Sequence, residues 1–311
     1  MAPDNANMTL LPGVFIVFLT VIFGGNIVAI KLALTGMGPL TTAGLRFSLA
    51  ALTIACWALA TGRPFGISAG QVPQLLIVSM GFTIQLSLFY LGLERTYASR
   101  GVMISNLLPF FVLFLSHRFI PGERITWNKM VGIVVGFSGV AFMFTGTPGI
   151  SRSLHTGDLV ILAAVGVWSC NIIYTKRIIN DFLPFHLVLY PMVFSVPVFL
   201  VAGFLWDGRM VFNLNPTVIG AYAYQSLFSA AFGFVAWNTM LQRYGVSTLH
   251  AFVFIMPIAG VGFSGLLLNE PITPNLIVAL ALVAAGTWTV HLNPKKPPYT
   301  VPIRKPTSLR R

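Results

Sequence analysis

Asn26 and Asn171 each sit a few residues from the middle of a long apolar run, with an aromatic residue three positions earlier: Phe23 before the first, Trp168 before the second. At that spacing the ring and the amide share one helical face. An aromatic wall beside an amide suits a small polar solute that carries an apolar part. The alternative is plain packing, with both amides bonded to neighbouring helices. The recurrence of the pair in both halves of the chain favours binding. Arg46 is the deepest charge, about three residues from the middle of its apolar run. An isolated charge at that depth costs at least ~2.5–3.5 kcal/mol on insertion scales, so it is expected to face a cavity, a bound anion or helix C-terminal carbonyls. Gln85, Asn106, Tyr224, Gln225, Trp237, Asn238 and His250 are the remaining polar or amphipathic groups within apolar runs. Some of them must line any aqueous path, because lipid cannot satisfy them. The candidate binding set is therefore Phe23, Asn26, Arg46, Gln85, Asn106, Trp168, Asn171, Trp237, Asn238 and His250.

Other residue patterns read as structural. The seven carboxylates (Asp4, Glu94, Glu123, Asp158, Asp181, Asp207, Glu270) all fall at helix ends or in connections. A proton carried on a mid-membrane acid is therefore not expected. Glu123 and Glu270 precede Thr126 and Thr273, placed to cap the last helix of each half. Lys31 and Lys176 lie near helix ends, where snorkelling is expected. Tyr90, Tyr97 and Tyr244 read as interfacial anchors. Gly136-Phe137-Ser138-Gly139 and Gly262-Phe263-Ser264-Gly265 fit the short pattern around an intramembrane serine nucleophile, yet only His250 offers a base near mid-span. Glycine and serine are common at membrane helix contacts, so packing explains both tetrapeptides better. Gly132-x-x-x-Gly136 and Gly262-x-x-Gly265 supply small residues for close helix approach, within the chain or in a homodimer through the fifth and tenth helices. Cys56 and Cys170 lie inside apolar runs and read as packing residues. No zinc, phosphate-loop or dinucleotide motif is present, and no cofactor is expected.

The elements that must position these groups follow from composition. Of 311 residues, 56% are hydrophobic and 8% charged, too few polar groups to cover a water-facing surface. Spans of about 20 mostly apolar residues fall at 11–34, 38–60, 71–93, 97–117, 127–146, 158–179, 183–205, 217–240, 246–268 and 274–292. The first is too long for a signal-peptide core and should stay in the membrane. Gly36–Pro39, Thr61–Pro64, Pro121–Glu123 and Thr147–Gly149 break the runs. The formal charge of +12 is concentrated in the last residues (Lys295, Lys296, Arg304, Lys305, Arg310, Arg311) and in short connections. That pattern fits lipid headgroups and the positive-inside rule, not nucleic acid. With both termini in the cytoplasm, the cytoplasmic side holds most of the Lys and Arg, and the tail supplies much of the bias.

The second half of the chain echoes the first. Phe23-Gly24-Gly25-Asn26-Ile27 matches Trp168-Ser169-Cys170-Asn171-Ile172, Lys31 matches Lys176, and Pro39 matches Pro184. Arg95, Ser99 and Pro109 align with Arg243, Ser247 and Pro257; Glu123-Arg124-Ile125-Thr126 aligns with Glu270-Pro271-Ile272-Thr273, and Gly139 with Gly286. Five spans per copy is an odd number, so the second copy must enter the membrane upside down. Inverted repeats of that kind place a site near the midplane where the copies meet.

The elements Gly25-Asn26…Lys31, Leu45-Arg46-Phe47, Ser99…Pro109…Gly122-Glu123-Arg124 and Asn269-Glu270-Pro271 resemble the EamA family of the drug/metabolite transporter superfamily, over roughly 11 to 292. The resemblance implies an all-α integral membrane protein of ten transmembrane helices in two inverted-topology five-helix repeats. It also implies cytoplasmic termini and export or exchange of small metabolites, often amino acids or their derivatives. The expected organisation is a cytoplasmic segment 1–10, a first repeat 11–146, a linker 147–157, a second repeat 158–293 and a basic cytoplasmic tail 294–311. The expected partners are membrane lipid and a small zwitterionic or anionic metabolite moved by alternating access, in the cell inner membrane. A passive channel and an intramembrane serine hydrolase are the readings set against it.

Overall fold

The computed structural model describes residues 10–120, 125–143, 156–183, 185–244, 249 and 252–291, without the side chains of Asn180, Val235, Asn238, Leu241, Gln242, Arg243 and His291. All regular elements among them are helical, and an isolated antiparallel bridge joins Met37 to Val211. Lipid offers no partner to a backbone N–H or C=O, so an apolar run must satisfy its own polar groups by coiling. The helices are α1 (Leu10–Ala33), α2 (Pro39–Ala60), α3 (Val72–Glu94), α4 (Ala98–Ser105), α5 (Leu108–Phe119), α6 (Trp127–Met143) and α7 (Thr156–Ile178). They continue as α8 (His186–Trp206), α9 (Pro216–Ala223), α10 (Phe234–Tyr244), α11 (Ile255–Leu268) and α12 (Pro274–His291). Between α9 and α10 the chain stays coiled but widens to π-helical winding over Tyr224–Gly233.

Among the described residues, six helical stretches are long and apolar enough to cross a membrane (α1, α2, α3, α7, α8 and the α4–α5 run taken together), and α6, α11 and most of α12 are shorter apolar helices. Their outer faces carry exposed Leu52, Leu59, Met80, Val134, Phe204 and Leu266, the surface a multi-pass membrane protein presents to lipid. Two of the expected continuous spans are interrupted. The 97–117 run breaks between α4 and α5, where Pro109 removes a backbone donor and Asn106 caps the first piece. In the 246–268 run Leu249 is helical, a turn follows over residues 252–254, and α11 begins at Ile255, two residues before Pro257.

Glycine sets how closely the helices approach. α6 and α12 run antiparallel: a Cβ at Gly132 would lie 2.7 Å from the Gly286 carbonyl oxygen, and one at Gly139 2.9 Å from that of Ala279. Gly132 and Gly136 both lie against Gly286 of α12 in the same chain. α1 meets α11 through Gly24 and Gly260, α2 meets α8 through Gly44 and Gly203, and α3 meets α7 through Gly81, Gly92 and Gly157. One end of the bundle gathers the stops of α1, α3, α8 and α11 with the starts of α2, α4, α7 and α12. Lys31, Asp207, Asp158 and Glu270 make their contacts there. The opposite end holds Phe65, Asp181 and Phe119.

Candidate functional site

Arg46 lies seven residues into α2, which starts at Pro39, and is only 7% exposed. Its Nη1 donates to the Tyr90 hydroxyl at 3.1 Å, and its guanidinium also sits 5.0 Å from the Phe47 ring centroid. The phenol then donates its hydrogen to Gln225 Oε1 at 3.2 Å. Tyr90 and Gln225 are both fully buried. A hydrogen-bonded chain therefore crosses from α2 and α3 to the π-helical segment, joining the two halves of the sequence. Wide winding of this kind is rare and recurs at functional sites; here it holds Gln225 against Tyr90. Tyr90 is accordingly not an interfacial anchor. It was missed because a tyrosine four residues from a helix end resembles a belt residue in sequence. The helix-terminal carbonyls considered for Arg46 are not its partner.

The other candidates are placed as follows. Asn26 lies seven residues before the end of α1 at Ala33, and Asn171 seven residues before the end of α7 at Ile178. Because those ends are at opposite faces of the bundle, the two amides are each about 10 Å from opposite ends. They do not share a pocket: Asn171 packs on Gly81 of α3, whereas Gly25 beside Asn26 faces the Tyr224 hydroxyl. Gln85 is buried in α3. Asn106 Nδ2 donates to Val102 O at 2.8 Å, closing its own helix at the α4/α5 break. Phe23 and Trp237 meet edge to face across the halves, with centroids 5.8 Å apart. Trp168 is half-buried on α7. The Asn238 side chain and His250 lie outside the described residues.

Several charges have partners the sequence did not show. Lys31 does not snorkel: its Nζ donates to the carbonyls of Leu93 (2.6 Å), Glu94 (3.0 Å) and Thr96 (2.6 Å), closing the C-terminus of α3. Glu270 does not cap α12. It accepts from Ala98 N (2.6 Å), Ser99 N (2.8 Å) and Ser99 Oγ (2.6 Å) at the start of α4. Thr273 caps α12 instead, accepting from Leu276 N at 3.3 Å. Glu123 lies outside the described residues. Arg100 is buried in a 2.7 Å ion pair with Asp158, which also accepts from Thr96. Ser138 and Ser264 donate to the carbonyls of Val135 and Val261 in their own helices, the back-bonding of a packing serine.

Comparison with known proteins adds to this geometry. The profile of the EamA-like transporter family matches residues 11–145 and again 155–292. The chain is 26% identical over 288 residues to a protein of Escherichia coli (strain K12) called "Probable amino-acid metabolite efflux pump", covering 89% of this chain and 93% of that one. It is 27% identical over 297 residues to a "Probable terminal-alkyne amino-acid exporter" of Streptantibioticus cattleyicolor, covering 91% and 95%. A solved crystal structure superposes with TM-score 0.66 at 16% identity, over 88% of this chain and 94% of the other, a likeness of fold alone.

Proposed function

Because the chain belongs to the EamA-like transporter family, we propose that it moves a small zwitterionic or anionic metabolite, such as an amino acid or a derivative, across the cell inner membrane. It does so by alternating access, as an exporter or exchanger. The observation that carries this reading is full-length similarity to two proteins named for export of amino acids or their metabolites. The interior agrees with it: a buried guanidinium and several amides, and no carboxylate in the middle of a described span.

Two five-helix repeats, 11–146 and 158–293, joined by 147–157 and followed by a basic tail, are the architecture that accounts for the packing. If first-half elements are exchanged for their second-half counterparts, the contacts map onto one another. α1 packs on α11 as α7 packs on α4 and α5, and α3 packs on α7 as the α9–α10 run packs on α1. The α2–α8 and α6–α12 pairs map onto themselves. Gly62 (φ 64°) and Gly208 (φ 59°) close corresponding second helices in the left-handed region. Broken helices at α4/α5 and before α11 then lie in matching places of the two copies, the usual signature of a transporter site. The Lys and Arg distribution supports a cytoplasmic location for both termini.

Proteoliposomes loaded with unlabelled amino acid test the reading. Saturable uptake of a labelled amino acid, accelerated by solute on the far side, is expected. Flux that does not saturate and ignores the far side would replace the carrier with a channel. Ser138→Ala and Ser264→Ala should leave transport unchanged, whereas a hydrolase would depend on one of those serines.

A further inference from the structure

Four polar side chains from four different elements, Arg46, Gln85 and Gln225 buried and Asn26 half-buried, lie at one depth in the bundle. Asn26 is seven residues before the end of α1, and Arg46 seven residues after the start of α2. Gln85 is nine residues before the end of α3, and Gln225 nine residues after the start of α9. All four termini are at the Lys31 end, so the four side chains sit about 10–14 Å below it. The elements pack on one another: α1 and α2 both meet the π-helical segment, and α2 meets α3.

Each of the four holds a buried atom without a hydrogen-bond partner: Asn26 Oδ1, Arg46 Nε, Gln85 Oε1 and Gln225 Nε2. An unmatched buried polar atom costs about 1–3 kcal/mol, and native structures carry few of them. Four at one level, two donors and two acceptors, is a concentration that helix packing does not require. Among the described residues no carboxylate forms an ion pair with Arg46. The donors, a guanidinium N–H and an amide N–H, match a carboxylate. The acceptors, two amide oxygens, match an ammonium.

We propose that this level is the receptor for the zwitterionic head of an α-amino acid. Arg46 Nε and Gln225 Nε2 take the carboxylate, Asn26 Oδ1 and Gln85 Oε1 take the ammonium, and the carboxylate displaces the Tyr90 hydroxyl. The inference rests on the transporter reading and narrows it. Tyr90 now bridges Arg46 of the first half to Gln225 of the second. A carboxylate that replaces it gives the Arg46 guanidinium a counter-charge in place of a neutral hydroxyl, turning an ion–dipole hydrogen bond into an ion pair. Binding thereby acts on the contact between the halves and not only on a pocket wall.

The test uses the full chain in proteoliposomes and three forms of each amino acid in a panel: the free zwitterion, its C-terminal amide and its N-acetyl derivative. Wild type should exchange the zwitterion with at least about tenfold lower KM than either blocked form. Arg46→Gln should bring acid and amide to within about twofold while leaving the preference for a free ammonium. Gln85→Leu should erase the ammonium preference and keep the other. Tyr90→Phe, the mildest change, should lower the KM for the zwitterion severalfold, because the competing hydroxyl is gone; a packing role would leave KM unchanged or raise it. Variants are compared only after gel filtration shows them folded. Saturable exchange that ignores the charge state of the head group, or an Arg46→Gln protein that still prefers acid over amide, overturns the receptor and leaves the transporter intact. No exchange of any form by folded wild type overturns both.

Discussion

At the end of the bundle where α1 stops, the described side chains that tie helices together are charged: Lys31 on the carbonyls closing α3, Asp207 on the start of α2, Glu270 on the start of α4, and the buried Arg100–Asp158 pair. At the other end the described ties all run from side-chain donors to backbone carbonyls. His186 reaches Pro64 O at 2.8 Å, Tyr190 reaches Phe65 O, Gln71 reaches Asp181 O, and Arg177 reaches Phe119 O at 2.8 Å. Except for Lys31, every one of these ties joins the first half of the sequence to the second. Ionised groups on helix termini add to the macrodipole, and a buried pair is costly to split. The Lys31 end is therefore the harder of the two to pull apart, although the same pair of halves meets at both.

That contrast can be broken by mutation. Asp158→Asn leaves the Arg100 guanidinium buried without its counter-charge and should destabilise the protein by about 3–5 kcal/mol in detergent thermal unfolding. Replacing both residues by leucine should recover most of that loss. Glu270→Ala comes next, at roughly 2 kcal/mol, since it removes an anion from a helix N-terminus and leaves three donors unmatched. Asp207→Asn should cost about 1 kcal/mol, because the amide oxygen still accepts from Thr41 N but no longer meets the dipole with a charge. At the opposite end, Tyr190→Phe should cost about 0.5–1.5 kcal/mol. Hydrogen exchange sharpens the comparison: Asp158→Asn should speed exchange at the starts of α4 and α7, and Tyr190→Phe only around 64–68 and 179–186. An equal penalty for the two substitutions would show that the ends are held alike.

That the chain crosses a membrane was readable in the sequence because the length of an apolar run answers a local question, how much chain crosses about 30 Å of hydrocarbon. Pro109 and Pro257 were visible as matched residues, but not as interruptions, since many membrane helices absorb a proline. Asn26, Arg46 and Gln85 stood out because a polar group in an apolar run is conspicuous by itself. Tyr90 did not, since a tyrosine near a helix end has an ordinary explanation at the interface. Gln225 was one polar group among several, and nothing local announces the wide winding that positions it.

Sequence by itself determined that this chain is a helical, multi-pass membrane protein, and one family profile fits each of its halves. Tertiary structure alone decided who partners whom: Lys31 with the end of α3, Glu270 with the start of α4, Arg100 with Asp158, Arg46 with Tyr90 and Gln225. The physical reason is that these helices are apolar on most of their faces, so hydrophobic periodicity does not fix how each is rotated about its axis. Rotation is set by glycine contacts between helices distant in sequence, and a polar side chain meets its partner only after that rotation is set.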